Sequence, residues 1–193
     1  MKGRLLSIDV LRGLTIIFMI IVNQPGSWDY VYSPLLHAKW NGLTPTDYIF
    51  PMFLFIVGVS IVLSMSKRLN SVDKSSLIKK ILWRALKIYL VGLFLWIWPA
   101  FDLGNIRWTG VLQRISVVFL FCGLIYLFFK QKQQVYIAAS ILILYWIIMV
   151  FAPVPGIGVP DLNIPEKNWA HYIDSLYLPG VMWQGTWDPE GIL

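Results

Sequence analysis

Five long apolar runs constrain the fold of this chain more than any other feature. They cover residues of about 5–23, 46–66, 80–99, 110–129 and 135–152. A helix needs roughly 20 apolar residues to span the hydrocarbon of a bilayer, and each run approaches that length. The sequence is 58% hydrophobic and only 13% charged, whereas soluble domains carry about 25% charged residues. It therefore predicts an all-α fold, a polytopic transmembrane helix bundle with five spans.

The positions of lysine and arginine predict how these spans are oriented. Basic residues crowd one set of connections, namely Lys2, Arg4, Lys67, Arg68, Lys74, Lys79, Lys80, Lys130 and Lys132, and the opposite set holds Lys39, Arg107 and Lys167. The positive-inside rule then places the N-terminus and the loops 67–79 and 130–134 in the cytoplasm. Loop 24–45, residues 100–109 and the tail from 153 face the other side. Topology explains the net charge of +6, and we expect no nucleic-acid partner.

We predict two regions along the chain. Residues 1–152 form the transmembrane bundle, which includes a candidate active-site loop at 24–45. Residues 153–193 are rich in proline, glycine and acidic residues, which is typical of a long ordered loop, with one short helix near 166–177. Because an apolar pair begins only at the last residues, we expect the chain to be truncated before further helices.

The polar stretch between the first two spans carries a candidate catalytic group. His37 is one of two histidines and lies between Asn23, at the outer end of the first span, and Asp47, at the outer start of the second. An imidazole can act as a general base when a partner fixes its tautomer, as Asp47 could do. Asn23 could donate a hydrogen bond to a developing oxyanion. Helix capping is the alternative explanation for Asn23 and Asp47. The second histidine, His171, is expected at the surface.

Ionisable residues inside the first predicted span are a second set of candidates. Asp9 and Arg12 are three residues apart, which places them on one face of a helix. They form either a pair that anchors the helix or part of an anion site. In the second case Arg12 acts with Arg4 and the basic stretch 67–87, which includes Arg84, to hold phosphates at the inner surface.

Polar residues also open the fourth predicted span. Gln113 and Arg114 lie just inside its outer end. Because they are adjacent in a helix, they point in directions about 100° apart, so at most one of them can face lipid. Arg114 either reaches the outer headgroups or lines a cavity inside the bundle together with Gln113.

The same residues resemble a known family, the membrane acetyltransferases related to heparan-α-glucosaminide N-acetyltransferase, including their bacterial relatives. The matching blocks are RLLSIDVLRG at 4–13, Asn23, HAKWNGLTPTDYIFP at 37–51 and GVLQR at 110–114, and DPEG at 188–191 is also similar. The 37–51 block is far more specific than any single-residue match. Since the family continues with several more membrane helices, the resemblance implies that this chain is its N-terminal half.

The resemblance implies transfer of an acetyl group from cytoplasmic acetyl-CoA to an (amino)sugar or glycan acceptor across the membrane. His37 then matches the catalytic histidine, with Asn23 at the same site and Asp47 beside it. Acetyl-CoA is expected as a co-substrate and no metal is expected. We assign acetyl-CoA binding to Arg4, Arg12, Arg84, Gln113 and Arg114, and acceptor binding to Trp40 and Asn41.

Other functions stay open at this point. A transporter or a sugar-binding membrane protein could use the same scaffold, and a glycan O-acyltransferase is a rival within the enzyme class. For the acetyltransferase, His37 could deprotonate the acceptor or carry the acetyl group itself. Lipid and the acceptor are the expected partners, and a homo-oligomer is left open. We expect an integral protein of a bacterial inner membrane with a cytoplasmic N-terminus.

Overall fold

The protein is all-α, as the sequence predicts. The structure is a computed structural model and describes residues 5–69 and 71–193. Its helices are α1 (Leu6–Asn23), α2 (Ile49–Ser66), α3 (Lys74–Ile97), α4 (Val111–Phe128), α5 (Gln131–Phe151) and α6 (Trp169–Tyr177). Within this described part of the chain, the only β-type pairings are two isolated bridges. The predicted short helix in the tail, residues 153–193, is confirmed as α6.

The chain divides into two compact units, Met1–Met65 and Ser66–Leu193. The first contains α1 and α2 with the connection between them, which holds 3-10 turns at Trp28–Tyr30, Ser33–Leu35 and Pro45–Tyr48. The second contains α3 to α6. Each unit is described below by itself.

Four helical segments are long and apolar enough to cross a membrane, within the residues that the structure describes: Leu6–Asn23, Pro45–Ser66, Val111–Phe128 and Gln131–Phe151. The run predicted at 80–99 also forms a helix, α3, of 24 residues. Its apolar part carries Lys80, Arg84 and Lys87, so its composition is less typical of a span. The predicted count of five spans is therefore approximate.

The surfaces of these helices fit a lipid environment. Along α5 the only buried residue is Met149, and the neighbouring Leu142 and Ile143 are 70% and 56% exposed. Contiguous apolar surface of this extent is rare on soluble monomers, because water does not solvate it favourably. A bilayer removes that cost, so the protein is an integral membrane protein.

Helices α3 and α4 pack closely because small residues let them approach. A Cβ atom on Gly123 would meet the Ile81 side chain at 3.2 Å. The Ser116 hydroxyl donates a 2.6 Å hydrogen bond to the Ala85 carbonyl oxygen. Small residues and interhelical hydrogen bonds of this kind drive helix association in lipid.

Within the second unit, the tail packs against the end of α5. The Trp169 indole Nε1 donates to the carbonyl oxygen of Ala152 at 2.9 Å, which ties the start of α6 to the end of α5. Asn168 is fully buried and its side chain caps α6 through the His171 amide. His171 is not the surface residue predicted from sequence. It lies on the half-buried face of α6, and its Nδ1 is buried without a partner among the described residues.

Candidate active site

The connection between α1 and α2, residues 24–48, is held by short-range contacts, and we call it the His37 segment. The Thr46 hydroxyl donates to the Pro34 carbonyl oxygen at 3.2 Å, and Thr46 is 3% exposed. Gly42 adopts a φ of +128° with its backbone close to the Ala38 side chain. That conformation is strained for residues with a Cβ. Two 3-10 turns flank His37, so its backbone is set by local structure.

The Asp47 carboxylate accepts several hydrogen bonds from the His37 segment. One carboxylate oxygen, Oδ2, accepts hydrogen bonds from the Thr44 amide at 2.8 Å, the Thr44 hydroxyl at 2.9 Å and the Ala38 amide at 3.3 Å. The Thr44 amide contact is one half of a capping box at the start of the 3-10 turn Pro45–Tyr48, which leads into α2; the other half runs from the Asp47 amide to the Thr44 side chain. Capping boxes satisfy amide donors that a helix start leaves without partners. Asp47 is therefore a cap, as one of the two sequence interpretations predicts.

The other oxygen of Asp47, Oδ1, lies 2.6 Å from His37 Nδ1. A carboxylate can only accept, so Nδ1 must carry the proton of this hydrogen bond. In a neutral imidazole the lone pair then belongs to Nε2. The His37 side chain is 70% exposed, so the ring is accessible to a substrate. Asp47 therefore caps the 3-10 turn and also contacts the His37 imidazole.

The other residues predicted for this site lie nearby in sequence but are not all joined to His37. Asn23 is the last residue of α1 and is exposed. Its hydrogen bond to an oxyanion stays a prediction. Trp40 is half-buried and Asn41 is exposed, and they stand between His37 and the left-handed Gly42. Their proposed contact with the acceptor also stays a prediction.

Arg12 joins α1 to α2 within the same unit. Its guanidinium donates to Asp9 Oδ1 at 3.4 Å and to the Ser60 hydroxyl at 3.1 Å. A guanidinium has five N–H donors, so these two contacts leave others for an anion. The sequence-predicted Asp9–Arg12 pair is present, and Arg12 remains a candidate phosphate ligand. Arg4 lies outside the described residues.

The remaining candidates for acetyl-CoA belong to α3 and α4. The Arg84 guanidinium lies 4.9 Å from the centre of the Phe119 ring, a cation–π contact between the two helices. Gln113 is 6% exposed and its amide fills the space beside Gly92 and Gly110. Arg114 donates to the Gly191 carbonyl oxygen at 3.1 Å, in the tail. Structural contacts thus occupy all three side chains, and their cofactor roles stay predictions.

One charged cluster was not identified as a site from the sequence. Arg107, 9% exposed, donates from Nε to Asp188 Oδ2 at 2.7 Å and from Nη2 to Asp188 Oδ1 at 2.5 Å. Nη2 also donates to Glu190 Oε2 at 2.5 Å. The guanidinium lies over the rings of Trp96 and Trp183. The sequence signal was available, since Arg107 is one of few basic residues on the predicted outer side and DPEG is a recognisable block.

Burial and charge set the acidity of this cluster. Burial opposes ionisation of Asp188, but hydrogen bonds from Arg107 and from the Glu190 and Trp183 amides outweigh it and lower the pKa of Asp188 to about 2. Burial raises the pKa of Glu190, and the neighbouring Asp188 adds to that effect. The two carboxylates share one guanidinium, and the fully buried Asp188 has the bidentate contact.

Comparison with known proteins identifies the family. The model of the heparan-alpha-glucosaminide N-acetyltransferase catalytic family matches residues 4–186. The chain belongs to this family. The heparan-alpha-glucosaminide N-acetyltransferase of Homo sapiens is 38% identical over 143 residues, which are 71% of this chain and 21% of that protein.

A second relative in the heparan-alpha-glucosaminide N-acetyltransferase family gives the same result. The protein of that name from Mus musculus is 36% identical over 133 residues, which are 66% of this chain and 20% of the relative. The chain thus spans about a fifth of the length of the curated relatives it matches. The resemblance noted from the sequence blocks is confirmed at the level of the family.

Proposed function

We propose that this chain carries the catalytic imidazole of a transmembrane acetyltransferase. The donor is acetyl-CoA on the cytoplasmic side, and the acceptor is an (amino)sugar or glycan on the opposite side. The observation that carries the proposal is the 2.6 Å contact between His37 Nδ1 and Asp47 Oδ1. It leaves Nε2 as a proton acceptor on an exposed ring, which is what a general base requires.

The proposed reaction is acyl transfer from sulfur to nitrogen or oxygen. Nε2 of His37 takes the proton of the acceptor amine or hydroxyl while the acceptor atom attacks the thioester carbonyl carbon. The tetrahedral intermediate then collapses, the C–S bond breaks and the CoA sulfur leaves with the proton returned by the imidazolium. Asp47 supports the imidazolium electrostatically. In the covalent alternative, Nε2 itself attacks the thioester and passes the acetyl group to the acceptor.

The donor site rests on the cations near the predicted cytoplasmic surface. Arg12 keeps donors beyond those used by Asp9 and Ser60, and guanidinium groups bind phosphate oxygens in bidentate geometry. Acetyl-CoA is too polar to cross a bilayer unaided, so a donor on one side and an imidazole near the other match the predicted topology. The orientation follows from the positive-inside rule, and a bacterial inner membrane is the proposed location.

Replacement of His37 tests the proposal directly. In proteoliposomes with labelled acetyl-CoA on one side and a glucosamine derivative on the other, we expect His37→Ala to lower acetyl transfer by at least roughly 10²–10⁴-fold, the contribution typical of a general base. Because the side chain is exposed, the thermal midpoint should stay within about 2 °C of wild type. Labelled product, identified by mass spectrometry, is the measured quantity.

The matched control is Lys39→Ala, an exposed residue of the same segment. It should retain wild-type transfer. Full activity of His37→Ala would remove the catalytic assignment. Acceptor flux without acetylation in the wild-type protein would instead support a transporter, and an acetyl ester in place of an amide product would support glycan O-acylation.

A further inference from the structure

Thr44 contacts Asp47 through both its backbone and its side chain. Its amide and its hydroxyl both donate to Asp47 Oδ2, at 2.8 Å and 2.9 Å. The Ala38 amide donates to the same oxygen at 3.3 Å. Three donors therefore hold Oδ2, and Oδ1 faces His37 Nδ1. The carboxylate is oriented by Thr44 on one side and presented to the imidazole on the other.

We propose that Thr44 is a positioning residue for His37, acting through Asp47. The Thr44 hydroxyl keeps the carboxylate plane in the orientation that accepts the Nδ1 proton. His37 is thereby held in the tautomer that leaves Nε2 unprotonated. This inference rests on the proposed function of His37, but it concerns a property of the free protein that can be measured without any reaction.

The reason that such support is needed lies in the imidazole itself. Free neutral histidine prefers its proton on Nε2, which is the wrong tautomer for a base acting through Nε2. A hydrogen bond from Nδ1 to a fixed carboxylate reverses that preference. At a site as exposed as His37, water competes for both partners, so the carboxylate must already be oriented when the ring arrives. The Thr44 hydroxyl supplies a donor that the backbone amides alone do not replace.

The predicted effect is visible by ¹⁵N NMR of protein labelled at histidine. The chain has two histidines, so the spectrum contains two imidazole rings, and His37→Gln assigns the signals by deletion. At a pH of about 8.5, where an ordinary imidazole is neutral, we expect wild-type His37 to carry its proton on Nδ1. In Thr44→Val the same ring should shift toward the Nε2-protonated form.

Two variants separate positioning from a general structural role. Thr44→Ser keeps the hydroxyl and should restore the wild-type tautomer. Thr46→Val is the matched control, because Thr46 donates to Pro34 and not to Asp47. It should leave the His37 tautomer unchanged even if it lowers the thermal midpoint. Thr44→Ala serves as the second variant if the valine is not tolerated.

Kinetics give a second readout. If His37 transfers acetyl groups as proposed, Thr44→Val should lower kcat by about 10- to 100-fold, by analogy with the loss of hydrogen-bond partners of metal-ligating histidines. KM for acetyl-CoA should not change. Thr44→Ser should recover most of kcat.

Each outcome bears on one of the two proposals. An Nε2-protonated His37 in the wild-type protein would overturn the role of Thr44, whatever the variants do. An unchanged tautomer in Thr44→Val, or an equal shift in Thr46→Val, would overturn it as well. A tautomer shift as expected in a protein that transfers no acetyl group would keep this inference and remove the proposed function.

Discussion

Two aspartates in this molecule accept four hydrogen bonds each but sit in opposite environments. Asp47 accepts hydrogen bonds from the His37 imidazole, the Ala38 amide, and the amide and hydroxyl of Thr44. Asp188 receives a bidentate guanidinium from Arg107 and two backbone amides. The His37 and Asp47 side chains are 70% and 22% exposed, whereas the Arg107 and Asp188 side chains are 11% and 0% exposed.

The difference separates the proposed catalytic pair from an ion pair that contributes to folding. An exposed imidazole can meet a substrate, and its hydrogen bond contributes little to stability because water competes for both partners. A buried ion pair has no access to substrate, and loss of one partner leaves an uncompensated charge. We therefore expect changes at Asp47 to affect transfer and changes at Arg107 to affect folding.

The largest effect is expected for Asp47→Asn, measured as acetyl transfer in proteoliposomes. An asparagine can present its amide group to Nδ1, which favours the wrong imidazole tautomer. In a well-studied triad, the corresponding change lowers kcat by about 10⁴-fold, and we expect a loss of roughly 10²–10⁴-fold here. Stability should fall by only about 1 kcal/mol. Asp29→Asn, at an exposed position of the same segment, is the control and should transfer acetyl groups at the wild-type rate. Acetyl transfer at the wild-type rate by Asp47→Asn would refute the proposed role of Asp47 in supporting the His37 imidazole.

The next effect is expected for Arg107→Met, measured as thermal unfolding followed by tryptophan fluorescence. Removing the guanidinium leaves Asp188 and Glu190 without their cation, which typically costs about 3–5 kcal/mol for a buried pair. That corresponds to a decrease of roughly 6–20 °C in the midpoint for a chain of this size. Lys167→Met, an exposed cation of the tail, should shift the midpoint by less than about 2 °C. Equal midpoints for the two variants would show that the cluster does not stabilise the tail.

The smallest effect is expected for the dependence of tail stability on pH. The pKa of Asp188 is lowered to about 2, below the value of about 3.9 for an unfolded aspartate. Its stabilisation is therefore fully present above about pH 4 and lost as the pH falls toward 2, an effect of about 2–3 kcal/mol. The pKa of Glu190 is raised, so its contribution favours the folded state at low pH. It offsets part of the stability that Asp188 loses there.

Proteolysis of the tail as a function of pH measures that loss. The wild-type tail should become sensitive between about pH 4 and pH 2, as an acid-stable protease can report. Asp188→Asn should be more sensitive at neutral pH and lack the acid transition. If Asp188→Asn still becomes sensitive to the protease between about pH 4 and pH 2, another carboxylate is responsible for the transition.

The helices and the His37–Asp47 pair could be predicted from sequence because both depend on local patterns. Apolar runs of about 20 residues predict the bounds of helices α1, α2, α4 and α5 to within a few residues. The predicted count of five spans is approximate, because Lys80, Arg84 and Lys87 make the composition of α3 less typical of a span. The pairing of His37 with Asp47 follows from a ten-residue separation that a short turn can close.

The Arg107–Asp188 pair could not be predicted in the same way. Its partners are 81 residues apart, and no periodicity in the sequence relates them. Gln113 and Arg114 illustrate the same limit. Their polarity inside a span suggested a ligand, but the structure places Gln113 beside Gly92 and Gly110, and Arg114 against the Gly191 carbonyl oxygen of the tail. A polar residue in a span signals a partner, and the sequence alone does not say whether that partner is a ligand or the protein.

The hydrogen bonds that the Asp47 carboxylate accepts come from His37, Ala38 and Thr44, and the neighbouring Thr46 hydroxyl donates to the Pro34 carbonyl oxygen. The geometry of the imidazole is thus encoded in one contiguous stretch of fewer than twenty residues. In the proposed enzyme, that stretch carries the imidazole together with the candidate acceptor ligands Trp40 and Asn41. Any redesign of acceptor preference there has to preserve the hydrogen bonds of Asp47.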